Sequence, residues 1–384
     1  MKLSTLTRPL LATLSLTALL ATGAAHAQDR RDGYQGASRT FLFSPVGQDF
    51  SDTTKYKKQG PYTIGFSNAS VSNIWRVGLL HSIEKAAEDN KQMIKKLIVT
   101  DAKDDPAKQV ADIQDLVQRG VDILIVSAAT SQALDPIVTQ TMKKGIPVVM
   151  VDRRVTSDNF VSFVTASDIA LGRFTAQWLA ETLKGKGEIV MLSGIAGASP
   201  AEQRLRGARE VLNSFPDIKV LDLQYTDWSP AKGKTVMAAM LQKYGKRITG
   251  VWADHGLQGM GAIEAFVAAG YPKGTIPPIT CADLNGCLKL AVENNVPVMS
   301  YDFPPAMGAA AIRVALDVLA GKPVPKGVEV NADIAVSKGK ETRSVRADRW
   351  AEEYAQMDKP LDLVLSTGLG PNYDPKTFKA DYPK

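Results

Sequence analysis

A regular alternation of two hydrophobic patterns fills the chain from Pro61 onward. Short runs rich in β-branched residues, typical of buried strands, alternate with longer segments in which apolar residues recur every three or four positions, as on one face of a helix. In the first half, the runs that predict strands are Tyr62–Ser67, Lys96–Thr100, Asp122–Ser127 and Pro147–Asp152. The alternation restarts after Ala166, with strands predicted at Glu188–Ser193, Val220–Tyr225, Ile248–Ala253, Pro278–Cys281 and Pro297–Tyr301.

The segments between these strands have helical spacing. Residues 106–119 place Val110, Ile113 and Val117 on one face, with Pro106 in the first turn and Gly120 just past the end. Two further helices are predicted at Gly259–Ala269 and Ala306–Ala320. Apolar strands separated by helices predict parallel sheets covered on both faces, so two such series predict an α/β fold with two doubly wound lobes.

The two ends of the chain differ from this alternating region. Lys2 and Arg8 precede an apolar run from Leu10 to about Ala21, and Ala25-His26-Ala27 follows as a small-x-small triplet. This is the pattern of a secretory signal peptide over residues 1–27, with a buried or membrane-anchoring helix as the alternative. Because no cysteine stands at the cleavage site and no later stretch is long and apolar enough to span a bilayer, we expect a soluble mature chain in the periplasm.

The remaining terminal segments are predicted to be additions to the two lobes. Residues 28–60 are polar with weak periodicity and predict a mobile or surface-wrapping extension, and the tail beyond about Arg346 has a possible helix at Asp348–Met357. Three chain crossings between the lobes are expected near Ala166–Ser167, Asp302–Phe303 and Val330. The predicted division is 1–27 signal peptide, 28–60 extension, 61–166 plus 303–330 N-lobe, 167–302 plus 331–345 C-lobe, and 346–384 C-terminal extension.

The composition of the chain argues against several classes of function. The 384 residues are 45% hydrophobic and 22% charged, which is ordinary for a globular protein. The formal charge of +6 falls to about +4 without Lys2 and Arg8, and basic residues are scattered, so nucleic-acid binding is not expected. No metal site or cofactor is predicted, since His81 and His255 are isolated. Cys281 and Cys287 allow either a disulfide in an oxidising compartment or two reduced thiols.

Polar and aromatic side chains follow the predicted strands. In doubly wound sheets ligands bind outside the carboxyl ends of the strands, so these positions are the candidate binding residues. Carboxylates, amides and arginines suit the hydroxyls of a sugar, each of which donates and accepts, and flat indoles suit its C–H faces. For single Asp or Asn residues, a helix cap is the alternative. The candidates are Asn73, Trp75, Arg76, Ser127, Asp152, Arg153, Glu202, Trp228, His255, Asp283 and Asp302.

Residues 61 to about 336 resemble the periplasmic sugar-binding proteins of the ribose and galactofuranose type. The stretches that carry the resemblance are YTIGFSNASVSNIWR at 62–76, residues 106–120, IPVVMVDR at 146–153, GIAGASPAEQR at 194–204 and Gly-Lys-Pro at 321–323. The resemblance implies a two-lobed type I periplasmic binding protein. Such a protein closes on its ligand by a hinge motion and delivers it, as a monomer, to an ABC-type permease in the inner membrane.

The resemblance also implies roles for individual residues. Asn73 and Trp75 would line the N-lobe wall with Arg76 close by, and Asp152 and Arg153 match the pair that binds sugar hydroxyls. Trp228 falls at the position of a stacking aromatic residue, and Asp283 at that of a ligand carboxylate. Five positions depart from the pattern of the family: Ser127, Glu202, His255, Gly256 and Asp302. They add acidity, so a polyol, an amino acid or a cationic metabolite remains an alternative to a monosaccharide.

Catalysis has little support in the sequence. The GIAGAS stretch lacks the spacing of a dinucleotide or phosphate-binding loop, and no Gly-x-Ser-x-Gly motif occurs. A binding protein rather than an enzyme is therefore expected. A sensor that presents its closed form to a membrane receptor is a rival of another class. A cytoplasmic repressor would need a helix-turn-helix before the first strand, where this chain has its signal and polar extension.

Overall fold

The structure is a computed structural model that describes residues 43–330 and 332–366. The predicted signal peptide at 1–27 lies outside the described residues, as does the end of the C-terminal extension at 367–384. The strands, in chain order, are β1 (Phe43–Ser51), β2 (Tyr62–Asn68), β3 (Ile94–Asp101), β4 (Ile123–Val126), β5 (Val148–Val151), β6 (Ser162–Thr165), β7 (Lys186–Ser193), β8 (Asp217–Tyr225), β9 (Gly250–Ala253), β10 (Ile279–Ala282), β11 (Val298–Tyr301), β12 (Val324–Val330), β13 (Ile334–Val336) and β14 (Arg349–Trp350).

Helices connect most of these strands. They are α1 (Ile74–Asp89), α2 (Pro106–Gln118), α3 (Ser131–Lys143), α4 (Asp168–Thr182), α5 (Ser199–Leu212), α6 (Pro230–Tyr244), α7 (Gly256–Ala268), α8 (Asn285–Asn294), α9 (Met307–Leu319) and the short α10 (Ala351–Tyr354), with 3-10 turns at Thr54–Tyr56 and Gly245–Arg247. Within the described part of the chain, none of them is both long and apolar enough to cross a membrane.

The strands form two seven-stranded sheets. The first has the order β1-β12-β6-β5-β4-β2-β3 and the second the order β14-β13-β11-β10-β9-β7-β8. Most neighbours are parallel; β1 runs antiparallel to β12, and β11 antiparallel to β13. Every residue of β4, β5, β9, β10 and β11 is buried, because helices cover both faces of each sheet. The predicted α/β class with two doubly wound sheets is confirmed.

The chain passes between the sheets at three places in the described residues: between β6 and α4, between β11 and α9, and between β12 and β13. The alternation of strand and helix in the sequence corresponds to β2–β5 and β7–β11. It does not reveal β6, because no helix separates β5 from β6. The other strands outside the alternating pattern are β1, β12, β13 and β14.

Both terminal segments contribute to the sheets. The strand β1 lies within the predicted 28–60 extension and pairs with β12 from Phe43↔Val330 to Ser51↔Val324. The strand β14 and the helix α10 lie within the tail, where the helix covers Ala351–Tyr354 and not the longer span expected there. An edge strand at each end of the described chain therefore completes one sheet.

Candidate functional site

A cavity lies at the carboxyl ends of the strands, where the two sheets face each other. About 290 Å³ of empty space, part of it open to solvent, lies between its walls. The side chains that line it follow β2 and β5 of the first sheet and β7, β8 and β9 of the second, or belong to the crossing after β11. They are Asn73, Trp75, Arg76, Asp152, Arg153, Pro200, Arg204, Trp228, His255, Leu257 and Phe303.

The turn before α1 places the first part of the wall. The Asn73 side chain caps this helix, its Oδ1 accepting from the Arg76 backbone N–H at 3.0 Å, which satisfies one of the free amides of the first turn. Trp75 Nε1 donates to the Phe303 carbonyl at 2.6 Å, and the two rings lie 5.6 Å apart in a tilted arrangement. The crossing after β11 is therefore tied to the start of α1, and two aromatic side chains form one apolar patch.

The charged guanidinium of Arg76 is bonded to several side chains around it. Its guanidinium donates to Asn68 Oδ1 at 2.5 Å and to Ser127 Oγ at 3.1 Å, and it forms an ion pair with Asp152. Burial, reinforced by the positive charge of Arg153, lowers the pKa of Arg76 to about 10, so it stays charged at neutral pH. Ser127 is consequently a support behind the cavity wall and not part of its surface.

Asp152 and Arg153 leave β5 in an unusual backbone conformation. Asp152 has a φ of +61°, in the left-handed region that non-glycine residues rarely adopt. Arg153 Nη1 donates to Asp104 Oδ1 at 3.2 Å, and its guanidinium lies 4.9 Å from the centre of the Trp228 ring. A cation of the first sheet thus stacks on an aromatic ring of the second.

Trp228 sits in a second left-handed segment, in which Asp227 has a φ of +56° and Trp228 a φ of +50°. The indole lies so close to Gly194 that a Cβ there would stand 2.0 Å from Trp228 Cε2. Glycine is therefore required at 194 for the ring to enter the cavity. Trp228 Nε1 donates to Asp254 Oδ1 at 3.0 Å, which fixes the plane of the ring.

Asp254 is buried behind Trp228. Its Oδ2 accepts from Ser193 Oγ at 3.0 Å and from the Gly194 backbone N–H at 2.9 Å, while Gln258 donates to Oδ1. Burial raises the pKa of Asp254, and the charge of Arg204 together with the hydrogen bonds from Gly194, Ser193 and Trp228 opposes that rise. The carboxylate therefore serves as an anchor for the second wall, away from the cavity surface.

Arg204 lies in the second turn of α5 and completes the cationic part of the wall. Its Nε donates to Asp168 Oδ1 at 2.8 Å, its Nη1 donates to the Asp254 carbonyl at 3.1 Å, and the guanidinium lies 4.2 Å from the Phe303 ring centre. Burial raises the pKa of Asp168 to about 7, against the stabilising charge of Arg204. The candidates drawn from strand ends do not include Arg204, since helical phase and not proximity to β7 places it here.

His255 precedes α7 and caps it, with Nδ1 accepting from the Leu257 backbone N–H at 3.2 Å. Burial, together with the charge of Arg204, lowers the pKa of His255 to about 3. The imidazole is therefore neutral, and because Nδ1 accepts, its proton is on Nε2.

Seven of the eleven predicted residues line the cavity, and four do not. Besides Ser127, Glu202 is exposed and accepts from the Gly197 backbone N–H at 3.2 Å. Asp283 accepts from the Phe303 backbone N–H at 3.1 Å, and Asp302 Oδ1 accepts from the Tyr354 hydroxyl at 3.1 Å. The last two carboxyls are buried beside the cavity, and another part of the chain donates to one oxygen of each.

Pro200, Leu257 and Phe303, like Arg204, are wall residues that strand-end reasoning does not supply. Leu257 and Pro200 are apolar residues in the first turns of helices, and their types gave no signal of binding. Phe303 directly follows the candidate Asp302 at a predicted crossing, and that position is the signal that would have identified it.

A disulfide joins Cys281 and Cys287, whose Cα atoms are 6.3 Å apart. It closes the loop between β10 and α8 that carries Asp283. Among the described residues, no group of three or more His, Cys, Asp and Glu side chains could hold a metal ion.

Comparisons with known proteins agree with this geometry. Residues 64–323 match the model of the family described as periplasmic binding protein domain. The ribose import binding protein of Bacillus subtilis is 29% identical over 277 residues, which cover 72% of this chain and 88% of that protein. Two solved structures are also similar. The fructose-binding periplasmic domain of a hybrid two-component system has a TM-score of 0.66 at 29% identity, covering 73% of this chain and 92% of that one. A Mycobacterium smegmatis protein in complex with β-D-fucofuranose has a TM-score of 0.65 at 30% identity, covering 71% and 90%.

Proposed function

The chain belongs to the periplasmic binding protein family, and from this premise we propose that it captures a monosaccharide in the cavity between its two sheets and delivers it to an importer of the ABC type. The observation that carries the proposal is the composition of the cavity wall. Aromatic faces (Trp75, Trp228, Phe303) alternate there with charged hydrogen-bonding groups (Asp152, Arg153, Arg204) contributed by both sheets.

This composition fits a ring with several hydroxyl groups. Ionised donors and acceptors form short hydrogen bonds with hydroxyls, and aromatic faces cover the C–H surfaces of a sugar. The solved relative in complex with β-D-fucofuranose and the relative named for ribose import bind compounds of this class. Catalysis is not part of the proposal, because the family is one of solute-binding proteins.

The wall argues against a cationic ligand. Its three guanidinium groups are each paired with a carboxylate, Arg76 with Asp152, Arg153 with Asp104 and Arg204 with Asp168, so Asp152, the one carboxylate of the wall, is not left free for a cation. The acidic positions that kept a cation open in the sequence, Glu202 and Asp302, do not line the cavity. A neutral polyhydroxy compound can bind to this wall without a free carboxylate to neutralise it.

We further propose that the two sheets with their helices are lobes that close on the ligand about the three crossings. The N-lobe comprises 61–166 plus 303–330, and the C-lobe 167–302 plus 331–345. Because Arg153 and Trp228 come from different sheets, a ligand that touches both gains contacts only when the lobes meet. It therefore shifts the population toward the closed form. Export by the signal segment, residence in the periplasm and a monomeric state complete the proposal.

Thermal unfolding of the mature protein in the presence of pentoses, hexoses, polyols and small amines tests the proposed function. A bound ligand at a hundred times its dissociation constant stabilises the folded state by about 2.7 kcal/mol, which is readily measured. We expect a stabilising sugar, and loss of that stabilisation in Trp228→Ala with the protein still folded. Stabilisation by small amines alone, or a full sugar response in Trp228→Ala, would contradict the proposal.

A sensor remains a second candidate, because one solved relative is the periplasmic domain of a hybrid two-component system. A deletion strain separates the two functions. Loss of radiolabelled sugar uptake supports delivery to an importer, whereas intact uptake with a lost transcriptional response to the sugar supports sensing.

A further inference from the structure

The end of the described chain packs directly behind the cavity. Residues 351–366, here called the C-terminal strap, run along the loop between β10 and α8. Leu365 N–H donates to the Asp283 carbonyl at 2.7 Å, Asn285 Nδ2 donates to the Pro360 carbonyl at 2.9 Å, and Leu284 pairs with Val364 in an isolated β-bridge. The strap lies outside the part of the chain that matches the family, which ends at residue 323.

The strap reaches the Asp283 carboxyl through one hydroxyl. Ser366, 3% exposed, donates through Oγ to Asp283 Oδ2, the oxygen that also accepts from the Phe303 backbone N–H. Asp283 itself is fully buried. Its second oxygen, Oδ1, has no hydrogen-bond donor among the described residues and lies 3.8 Å from His255 Nε2. One carboxyl oxygen is therefore held and the other is left as a buried acceptor beside a residue of the cavity wall.

We propose that Ser366 is a positioning residue for ligand recognition: it holds Asp283 so that Oδ1 accepts a hydrogen bond from a ligand hydroxyl at the His255 edge of the cavity. The inference rests on the proposed function and deepens it. His255 Nε2 carries the imidazole proton, so this edge offers a donor and an acceptor 3.8 Å apart. A single hydroxyl, which both donates and accepts, satisfies the two together.

The strap also donates a hydrogen bond to the carboxyl that follows the neighbouring strand, β11. The Tyr354 hydroxyl donates to Asp302 Oδ1 at 3.1 Å, so a hydroxyl of the strap holds the carboxyl that follows β11 as well. The disulfide between Cys281 and Cys287 restrains the Asp283 loop from inside the C-lobe sheet. The strap and the disulfide together restrict the conformations in which this loop would turn Asp283 away from the cavity.

The arrangement predicts a pH dependence of binding. Burial raises the pKa of Asp283 to about 7, and the hydrogen bond from Ser366 opposes that rise. The groups that face it are Arg204 of α5, neutral His255 before α7, Asp302 after β11 and Tyr354 of the strap. A ligand hydroxyl donates to the ionised carboxylate, so affinity falls as the pH falls through about 7. Removing the Ser366 hydroxyl raises the pKa further and moves this midpoint upward.

Isothermal titration of the full mature chain with D-ribose, D-fructose and L-arabinose between pH 5.5 and 8.5 tests the inference. In Ser366→Ala we expect an affinity about tenfold lower at pH 7 and a midpoint shifted to higher pH. The matched control is Ser344→Ala, a serine just before the C-terminal extension whose Oγ donates to the Glu181 carboxylate at 2.6 Å, away from the cavity. This control keeps the wild-type affinity and midpoint.

Three outcomes would overturn the inference. The first is an affinity and a midpoint in Ser366→Ala equal to those of Ser344→Ala. The second concerns Ser366→Thr, which keeps a hydroxyl: a midpoint above the wild-type value in this variant would show that the hydroxyl is not responsible, whether or not Ser366→Ala folds. The third is a wild-type protein that binds none of the three sugars. It is visible before any variant is made, and it is distinct from a failure of the proposed function, which the wider screen of sugars and polyols tests.

Discussion

At the residue scale, several residues of the site adopt backbone conformations or carry buried charges that cost free energy. Asp152, Asp227 and Trp228 adopt left-handed backbone conformations, each of which costs a non-glycine residue about 1–2 kcal/mol. Arg76 is 2% exposed, so its charge is removed from water almost entirely. Such states persist where the surrounding contacts over-determine them, and they are concentrated here around one cavity. The Arg76–Asp152 pair is the part of this arrangement that a single substitution tests most directly.

Replacing Asp152 with Asn keeps the shape of the side chain and removes its charge. The Arg76 guanidinium then remains buried with Asn68 and Ser127 as neutral partners. Breaking a buried pair by removing one partner costs about 3–5 kcal/mol. We therefore expect the free energy of unfolding, measured by urea denaturation, to fall by about that amount, with ligand affinity lost as well.

The control for this substitution is Glu88→Gln on the surface of α1. Glu88 pairs with Lys91 at 2.9 Å, and both side chains are well exposed. Exposed pairs contribute about 0–1 kcal/mol, so this variant should unfold almost as the wild type does. Equal stability of the Asp152 and Glu88 variants would refute the view that the Arg76–Asp152 pair is energetically coupled to the fold.

At the scale of elements, the strand ends were predictable and the helix phases were not. Apolar runs ending in polar residues led to Asp152, Arg153 and Trp228, which lie beside one cavity. Glu202 and Arg204 lie two residues apart on α5, and residues at that spacing face different sides of a helix. Arg204 therefore enters the cavity while Glu202 faces solvent. Choosing between them requires the rotation of α5 about its axis, which packing against α4 and not local sequence determines.

Long-range contacts explain why three other predicted residues do not line the cavity. Ser127, Asp283 and Asp302 do end strands, as the pattern indicates. Arg76 covers the first of these residues, and the C-terminal strap holds the other two, from positions 51 to 83 residues away in sequence. Hydropathy patterns report local periodicity, so they carry no information on which distant side chain will occupy a strand end.

The disulfide between β10 and α8 is the element whose energetic role is simplest to isolate. Cys281 and Cys287 are the only cysteines of the chain. Closing so short a loop stabilises by about 2 kcal/mol in the chain-entropy account. We expect Cys281→Ser/Cys287→Ser to unfold at a lower temperature than the wild type, and the melting of this variant to be insensitive to reductant. An unchanged melting temperature would mean that the strap alone fixes the loop.

At the scale of the whole molecule, several contacts join the two sheets besides any ligand. The Arg154 backbone N–H, after β5, donates to Ser199 Oγ at the start of α5 at 2.9 Å. The Ser131 N–H donates to the Gly197 carbonyl at 3.0 Å, and Arg153 stacks on Trp228. These bonds exist only while the sheets face each other closely. They therefore contribute to the equilibrium between open and closed forms before any sugar binds.

Substituting Ser199 with Ala removes the acceptor for the Arg154 N–H without removing a helix cap, because the cap position of α5 is Ala198. A hydrogen bond of this kind contributes about 1 kcal/mol, so the population should shift toward the open form and affinity should fall about fivefold. Small-angle scattering of the ligand-free protein should show a larger radius of gyration than in the wild type.

The control is Ser337→Ala, which loses an equivalent bond from the Val298 N–H at 3.0 Å, but within the second sheet. It should lower stability without changing the radius of gyration. Were both variants to scatter alike and bind sugar alike, the Ser199 contact would have no part in closure, and the ligand itself would have to supply the energy that brings the lobes together.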